Sequence, residues 1–382
     1  MKIALVHELL TMRGGAERML RIFAEMFPDA PIYTLLYDEE KLGNWFPKNR
    51  IRTASFSPPY SLLPTPYRFN HHLYLRQFPR AVEAWDFSDF DLVLSSSSAL
   101  VHGIITNGKP RHICYVHSPA RYLWDRTHDV LEQASTGIFG PFKRWYLEHL
   151  FHKLRIWDSE AADRPDSLLA PSKEVQRRIE LYWRRESEII HPPIDDVWIR
   201  DTGHPLRNGT KDYFFIASTL APYKRIDIAI EACNRLKLPL KIAGEGSDRK
   251  RLERLAGSTI AFLGHKNDNE LKELYRNAKA TIFPGHEDFG LVPLESMACG
   301  TPVIAYARGG ALETILENKT GLFFDEPIVE SLTETLYGFE KTRFDPALCQ
   351  EQAKKFSREK FEKRIKEIIQ TSSSAHLRGV PA

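Results

Sequence analysis

The sequence predicts an α/β protein built from two Rossmann-like, doubly wound domains facing a cleft. Three observations point there. Short apolar runs alternate with longer amphipathic segments almost throughout, and near-continuous apolar strands of that kind belong to parallel sheets covered by helices on both faces. A stretch rich in Pro, Gly and Asp, HPPIDDVWIRDTGHPLRNGT at 191–210, interrupts the alternation, which restarts after it. The chain has 382 residues, enough for two domains at roughly 150 residues each.

Composition narrows the function classes. With 42% hydrophobic and 27% charged residues, the chain has the make-up of an ordinary globular protein. Lys and Arg number 53 against 50 Asp and Glu, a net charge of +3, which argues against a nucleic-acid binder. Cys114, Cys233, Cys299 and Cys349 lie far apart with no CxxC, so neither a disulfide scaffold nor a zinc ribbon is expected, only buried thiols in a reducing compartment. The apolar start MKIALVHELL is shorter than a signal-peptide core and reads as a first strand. No run approaches the roughly 18 apolar residues of a membrane span. The expected location is the cytoplasm, including the inner face of its membrane.

In chain order, KIALVHE, PIYTLLY, DLVLSSS, RHICYVH, SLLAPS and EIIHPPI read as strands of the first half, with helices such as GAERMLRIFAEMF and KEVQRRIELYW between them. In the second half YFFIAS, LKIAG, IAFLG, ATIFPG, PVIAY and GLFFD are strands, separated by the helices IDIAIEACNRLK, SDRKRLERLA, NDNELKELYRNA and PLESMACG. FSREKFEKRIKEII is a charged amphipathic helix opened by Ser357. The expected division is a first domain at 1–190, a linker at 191–210, a second domain at 211–355, a crossing helix at 356–370 and a tail at 371–382.

Chemistry concentrates in GHEDFGLVPLESMACGTPVIA. A strand ends at Pro284, Pro293 suits the start of a helix, and Gly300 suits its stop. The loop then delivers backbone N–H groups around Phe289, Gly290 and Leu291 to a helix N-terminus, an anion site suited to a diphosphate. Glu287 and Glu295 bracket it. They read either as a hydrolase-like carboxylate pair, which needs a separation of about 5 to 9.5 Å, or as a solvated loop charge and a complement to the helix dipole. Spacing alone leaves both open. GEGSDR at 244 lacks the third glycine of a dinucleotide fingerprint, and His149 with His152 has no further ligand nearby. No HExxH, GxSxG or Walker loop is present. His7, ending the first strand, reads equally as facing the cleft or packed.

Glu287-x7-Glu295 within HEDFGLVPLESMACGTPVIA resembles the signature of glycosyltransferase family 4, the retaining GT-B transferases. The order IASTLAPYKRID, IAGEG, FLGH and GGALETI agrees with it, and HELLTMRGGAERML resembles the family's glycine-rich loop. YVHSPARYLWD with PYKRID is most similar to bacterial GDP-mannose-dependent mannosyltransferases of surface-polysaccharide synthesis. The likeness is tight over 212–325 and looser over 41–165.

The resemblance implies a role for each matching residue. Glu295 would bind the donor ribose, Glu287 would lie by the transferred sugar, and the backbone of Phe289, Gly290 and Leu291 would hold hydroxyls or phosphate. Lys224 would neutralise the leaving diphosphate and His117 would sit near the reacting sugar. Gly14 and Gly15 would let the backbone approach the ligand, and residues 262–266 would line the base. The family's Gly-Arg-Leu is here Ser218-Thr219-Leu220, so either Arg225 or a residue of the first domain would supply the second cation, or donor binding would be weaker.

The implied activity is transfer of a hexosyl unit, mannosyl from GDP-mannose, with retention and without a metal or other cofactor. The acceptor would be a glycan or a polyprenyl-diphosphate-linked glycan. A nucleotide-sugar 2-epimerase and a non-catalytic nucleotide-sugar-binding protein are the alternatives. The segment 41–82 has no Asp or Glu but seven Lys and Arg, interleaved with Trp45, Phe46, Phe56, Tyr60, Tyr67, Phe69, Tyr74 and Phe78. It reads either as a basic loop whose aromatics pack inward or as a surface for anionic membrane lipid.

Overall fold

A computed structural model describes residues 1–56, 74–137, 139–199 and 212–376, the side chains to 371. The chain divides into two compact units, Met1–Ile190 and His191–Ala382. In the first, β1 (Ile3–Leu10), β2 (Ile32–Tyr37), β3 (Ile51–Thr53), β4 (Leu92–Ser97), β5 (Arg111–Val116), β6 (Ser167–Ala170) and β7 (Glu188–Ile189) form a parallel sheet ordered β3-β2-β1-β4-β5-β6-β7. In the second, β8 (Tyr213–Ala217), β9 (Leu240–Ala243), β10 (Ile260–Gly264), β11 (Ala278–Phe283), β12 (Val303–Tyr306) and β13 (Gly321–Phe324) form a parallel sheet ordered β10-β9-β8-β11-β12-β13.

Local chemistry explains the elements. β8 and β4 are buried at every position, as strands covered on both faces must be. The helix Lys173–Trp183 starts where Ser172 Oγ accepts the Val175 N–H at 3.2 Å, and ends at Arg184 in the left-handed region. Asn267 and Glu270 cap the helix Asp268–Arg276 reciprocally. Each sheet reverses its strand order once, between β1 and β4 and between β8 and β11. Ligands of such sheets bind at the carboxyl ends of the strands beside that reversal.

All twelve expected strands are present. β3 was not foreseen; it is a three-residue edge strand inside the basic, aromatic segment, where no apolar run announces it. The helix after the acidic loop begins at Leu291, not Pro293, which occupies its third position. Within the expected linker, Asp196–Ile199 forms a short helix, and Ile194 and Trp198 are core residues of the second unit; residues 200–211 lie outside the described ones. The last helix runs Arg358–His376, taking in part of the expected tail. All four cysteines are buried and outside disulfides.

In the described part of 41–82 four of the five aromatics pack inward, and Trp45 is half-buried beneath Arg13 and Arg21. Phe46, Phe56, Tyr74 and Phe78 are buried, with Phe56 and Tyr74 at 4.8 Å. Lys48 pairs with Glu39 at 2.8 Å. Arg50 donates to the carbonyls of Ala24, Phe27 and Ala30, closing the C-terminal end of the helix Gly15–Met26. Residues 57–73, with Tyr60, Tyr67, Arg68 and Phe69, lie outside the described residues.

Candidate functional site

In the second unit the reversal point collects the signature residues. After β8 the chain passes exposed Thr219 and buried Leu220 into the turn Pro222–Lys224. After β11 the acidic loop leads into the helix Leu291–Ala298. Lys224 Nζ donates to Glu287 Oε1, with both side chains mostly buried. Two residues expected to serve different parts of a ligand therefore hold each other. Arg225, the expected second cation, is 3.4 Å from Asp227.

The loop's conformation depends on glycine at two places. Gly290 caps the helix at φ +82°, where an added Cβ would lie 2.7 Å from the Phe283 ring. Gly309 has φ +63° and would put a Cβ 2.2 Å from the Glu287 carbonyl oxygen, while the Gly310 N–H donates to that same oxygen at 3.0 Å. No side chain caps the helix at Gly290, and first-turn N–H groups have no intrahelical acceptor. Pro293 has no N–H to lose there. His191 stacks on Phe289 at 5.3 Å.

Glu295 lies in the second helical turn, not the first, and is 8% exposed. Tyr275 O–H donates to its Oε2 at 3.2 Å. Burial, with the neighbouring carboxylate of Glu295, pushes the Tyr275 hydroxyl well above its ordinary pKa and keeps it a donor.

In the first unit the reversal point holds a buried polar network. His7 Nδ1 lies 2.9 Å from the Ser96 carbonyl oxygen and 3.2 Å from Ser96 Oγ, which is 2.8 Å from His117 Nε2. On its other side, His7 Nε2 is 3.8 Å from Glu17 Oε1, and Glu17 Oε2 accepts the Gly14 N–H at 2.9 Å. Burial would lower the His7 pKa. The Glu17 carboxylate, the charge of Glu8 and the Ser96 carbonyl outweigh it, and the net shift is upward.

Glu8 accepts from Ser97 Oγ, from Ser98 N and Oγ, and from the N–H groups of Ala99, Leu100 and Val101. Burial alone would raise its pKa. The His7 charge and the N–H groups of Ser98, Val101 and Ala99 hold it below the usual carboxylate range instead. His117, half-buried just past β5, and Gly15, around which an added Cβ would meet nothing within 4 Å, are the more open members of this region.

Residues 201–360 match the family model Glycosyl transferases group 1. The second unit carries the group 1 glycosyl transferase pattern. An uncharacterized glycosyltransferase of Methanocaldococcus jannaschii is 25% identical over 58% of this chain and 64% of its own length. A GDP-mannose-dependent alpha-mannosyltransferase of Mycolicibacterium smegmatis is 30% identical over 44% of this chain and 47% of its own. The chain thus spans less than two-thirds of the length of the curated relatives it matches. The Anabaena protein HepE in complex with UDP superposes with a TM-score of 0.68, covering 97% of this chain and 100% of that one at 16% identity, a likeness of fold.

The structure brings Lys224, Glu287, Phe289, Gly290 and Leu291 together at one reversal point, with Glu295 one turn further along the helix. Gly14, Gly15 and His117 lie at the other unit's reversal point. Sequence reasoning missed Glu8, Glu17, Ser96 and His191. Glu17 was findable, three residues past Gly14 in capping-box register. Glu8 and Ser96 carry no local signal, because their partners lie about ninety residues away.

Glu295→Gln is expected to weaken donor binding by about tenfold, since a charged hydrogen bond is worth about 1.5 to 3 kcal/mol, while leaving the fold intact. Donor KM and the melting temperature, measured together, check it. An unchanged KM in the folded variant removes Glu295 from donor binding.

Proposed function

We propose that the protein is a retaining glycosyltransferase that moves a mannosyl unit from GDP-mannose to a glycan or polyprenyl-diphosphate-linked acceptor. The observation that carries this reading is the Lys224–Glu287 pair beside the uncapped helix start at Gly290. A cation and free peptide N–H groups at one reversal point suit a diphosphate, whose charge grows as it leaves. The mannosyltransferase relative supports the donor assignment.

In this reading the bond between the anomeric carbon and the diphosphate oxygen breaks while the acceptor oxygen bonds to that carbon from the same face. The acceptor's proton passes to the departing phosphate oxygen, so no carboxylate nucleophile is required. Lysine and helix N–H groups supply the positive charge, and no metal is invoked. Lys224 exchanges Glu287 for the diphosphate when donor binds, which releases Glu287 toward the sugar.

Incubating the protein with GDP-mannose or UDP-glucose and a lipid-linked glycan tests the reading. A lengthened glycan and free GDP are expected. A changed sugar without transfer would mean an epimerase. A nucleotide-raised melting temperature with no turnover would mean a binding protein.

A further inference from the structure

The helix Gly140–Ala161 is apolar on two opposite sides. Leu150, Phe151, Leu154 and Ala161 form the side buried in the first unit. Stepping round at 3.6 residues per turn, Phe142, Trp145, Tyr146, His149 and Ile156 fall on the other side, with Phe139 just before the helix. These face solvent: Phe139 is 79% exposed, Phe142 67%, Trp145 54% and Tyr146 41%. Their rings gather into a patch, with Phe142–Trp145 at 5.9 Å and Trp145–His149 at 4.6 Å. A helix that buries one apolar side ordinarily turns polar residues outward, and a cluster of exposed rings on its other side marks an interaction site.

Charge decides between occupants. Lys143, Arg144 and Lys153 are exposed along the same helix, Lys153 on the side of the rings; Glu148 is paired with Arg144 at 2.9 Å, and Glu160 is exposed on the ring side one turn beyond Ile156. Apposing two copies of this face would bring those cations together, and lysine is depleted at protein interfaces. Tryptophan, tyrosine and phenylalanine at headgroup depth, with lysine and arginine reaching phosphate, is instead the pattern of a helix lying in a lipid interface. We infer that the outer side of the helix Gly140–Ala161 docks on an anionic lipid surface. This rests on the helix alone and not on the proposed transfer. It is also separate from 41–82, where four of the five described aromatics are buried.

The test is co-sedimentation of the full chain with vesicles containing phosphatidylglycerol, and with phosphatidylcholine alone, at low salt. The wild type is expected to bind the former. Phe142→Ser/Trp145→Ser/Tyr146→Ser should bind about tenfold less or weaker still, given the apolar and electrostatic terms removed or left. The nucleotide-induced rise in melting temperature should be unchanged, which separates this inference from the transferase reading. Four results would overturn it: no wild-type binding, full binding by the triple variant, loss that follows Arg68→Glu/Arg76→Glu/Arg80→Glu instead, or a wild-type dimer that the triple variant dissolves.

Discussion

Lys224→Ala is expected to lower turnover by about 10²- to 10³-fold, the range for removing one preorganised donor from a site of developing charge. Donor KM should rise as well, because the substitution strips Glu287 of its counter-ion and leaves a carboxylate beside an anionic ligand. The double variant Lys224→Ala/Glu287→Ala separates the two effects: KM should return toward the wild-type value while turnover stays low. Thr219→Arg, on the exposed connection from the same strand, adds a second cation and should tighten donor binding. Steady-state kinetics with a nucleotide sugar reads all three. Normal turnover by Lys224→Ala would take Lys224 out of the phosphate site.

The second large effect is on stability. Glu8→Ala removes an acceptor that serves six donors around the start of the turn Val101–Gly103, most of them backbone N–H groups that no solvent reaches readily. Removing one partner of a buried charged network typically costs about 3 to 5 kcal/mol, which for a unit of this size corresponds to a melting point lower by about 10 °C. The pH dependence should change too. Because the native pKa of Glu8 is depressed, its contribution is full at neutral pH, starts to erode near the unfolded value and is lost as pH falls through the native one. Melting curves from pH 7 to pH 3 should therefore be flatter for the variant. A variant that melts with the wild type at every pH would show that Glu8 is replaceable by water.

What was legible in the sequence is what neighbours dictate. YFFIA reads as a buried strand because five consecutive apolar side chains allow little else, and Pro293 with Gly300 bracketed a helix to within two residues. The acidic loop was readable for the same reason: its glycine, its carboxylates and its helix start are contiguous. The register between distant strands was not readable. Lys224 and Glu287 are 63 residues apart, and their pairing exists only because β8 lies beside β11. The basic segment divides in the same way. Arg50 is held by three carbonyls and Phe46, Phe56 and Phe78 are buried, as the inward reading expects, while Tyr60, Tyr67, Arg68 and Phe69 lie outside the described residues. The helix Gly140–Ala161 carries the exposed rings instead, and which of its two apolar sides meets the core is settled only by packing.

The Ser96 contacts also tie His117 to the buried His7. A backbone carbonyl can only accept, so His7 Nδ1, 2.9 Å from the Ser96 oxygen, must bear a hydrogen. That hydrogen also leans on Ser96 Oγ, which in turn exchanges a hydrogen bond with His117 Nε2 at 2.8 Å. Glu17 stabilises the protonated form of His7 from the far side and grips the glycine turn with its other oxygen. The contacts thus run from the glycine turn through Glu17, His7 and Ser96 to His117, so a charge change at Glu17 is felt three side chains away.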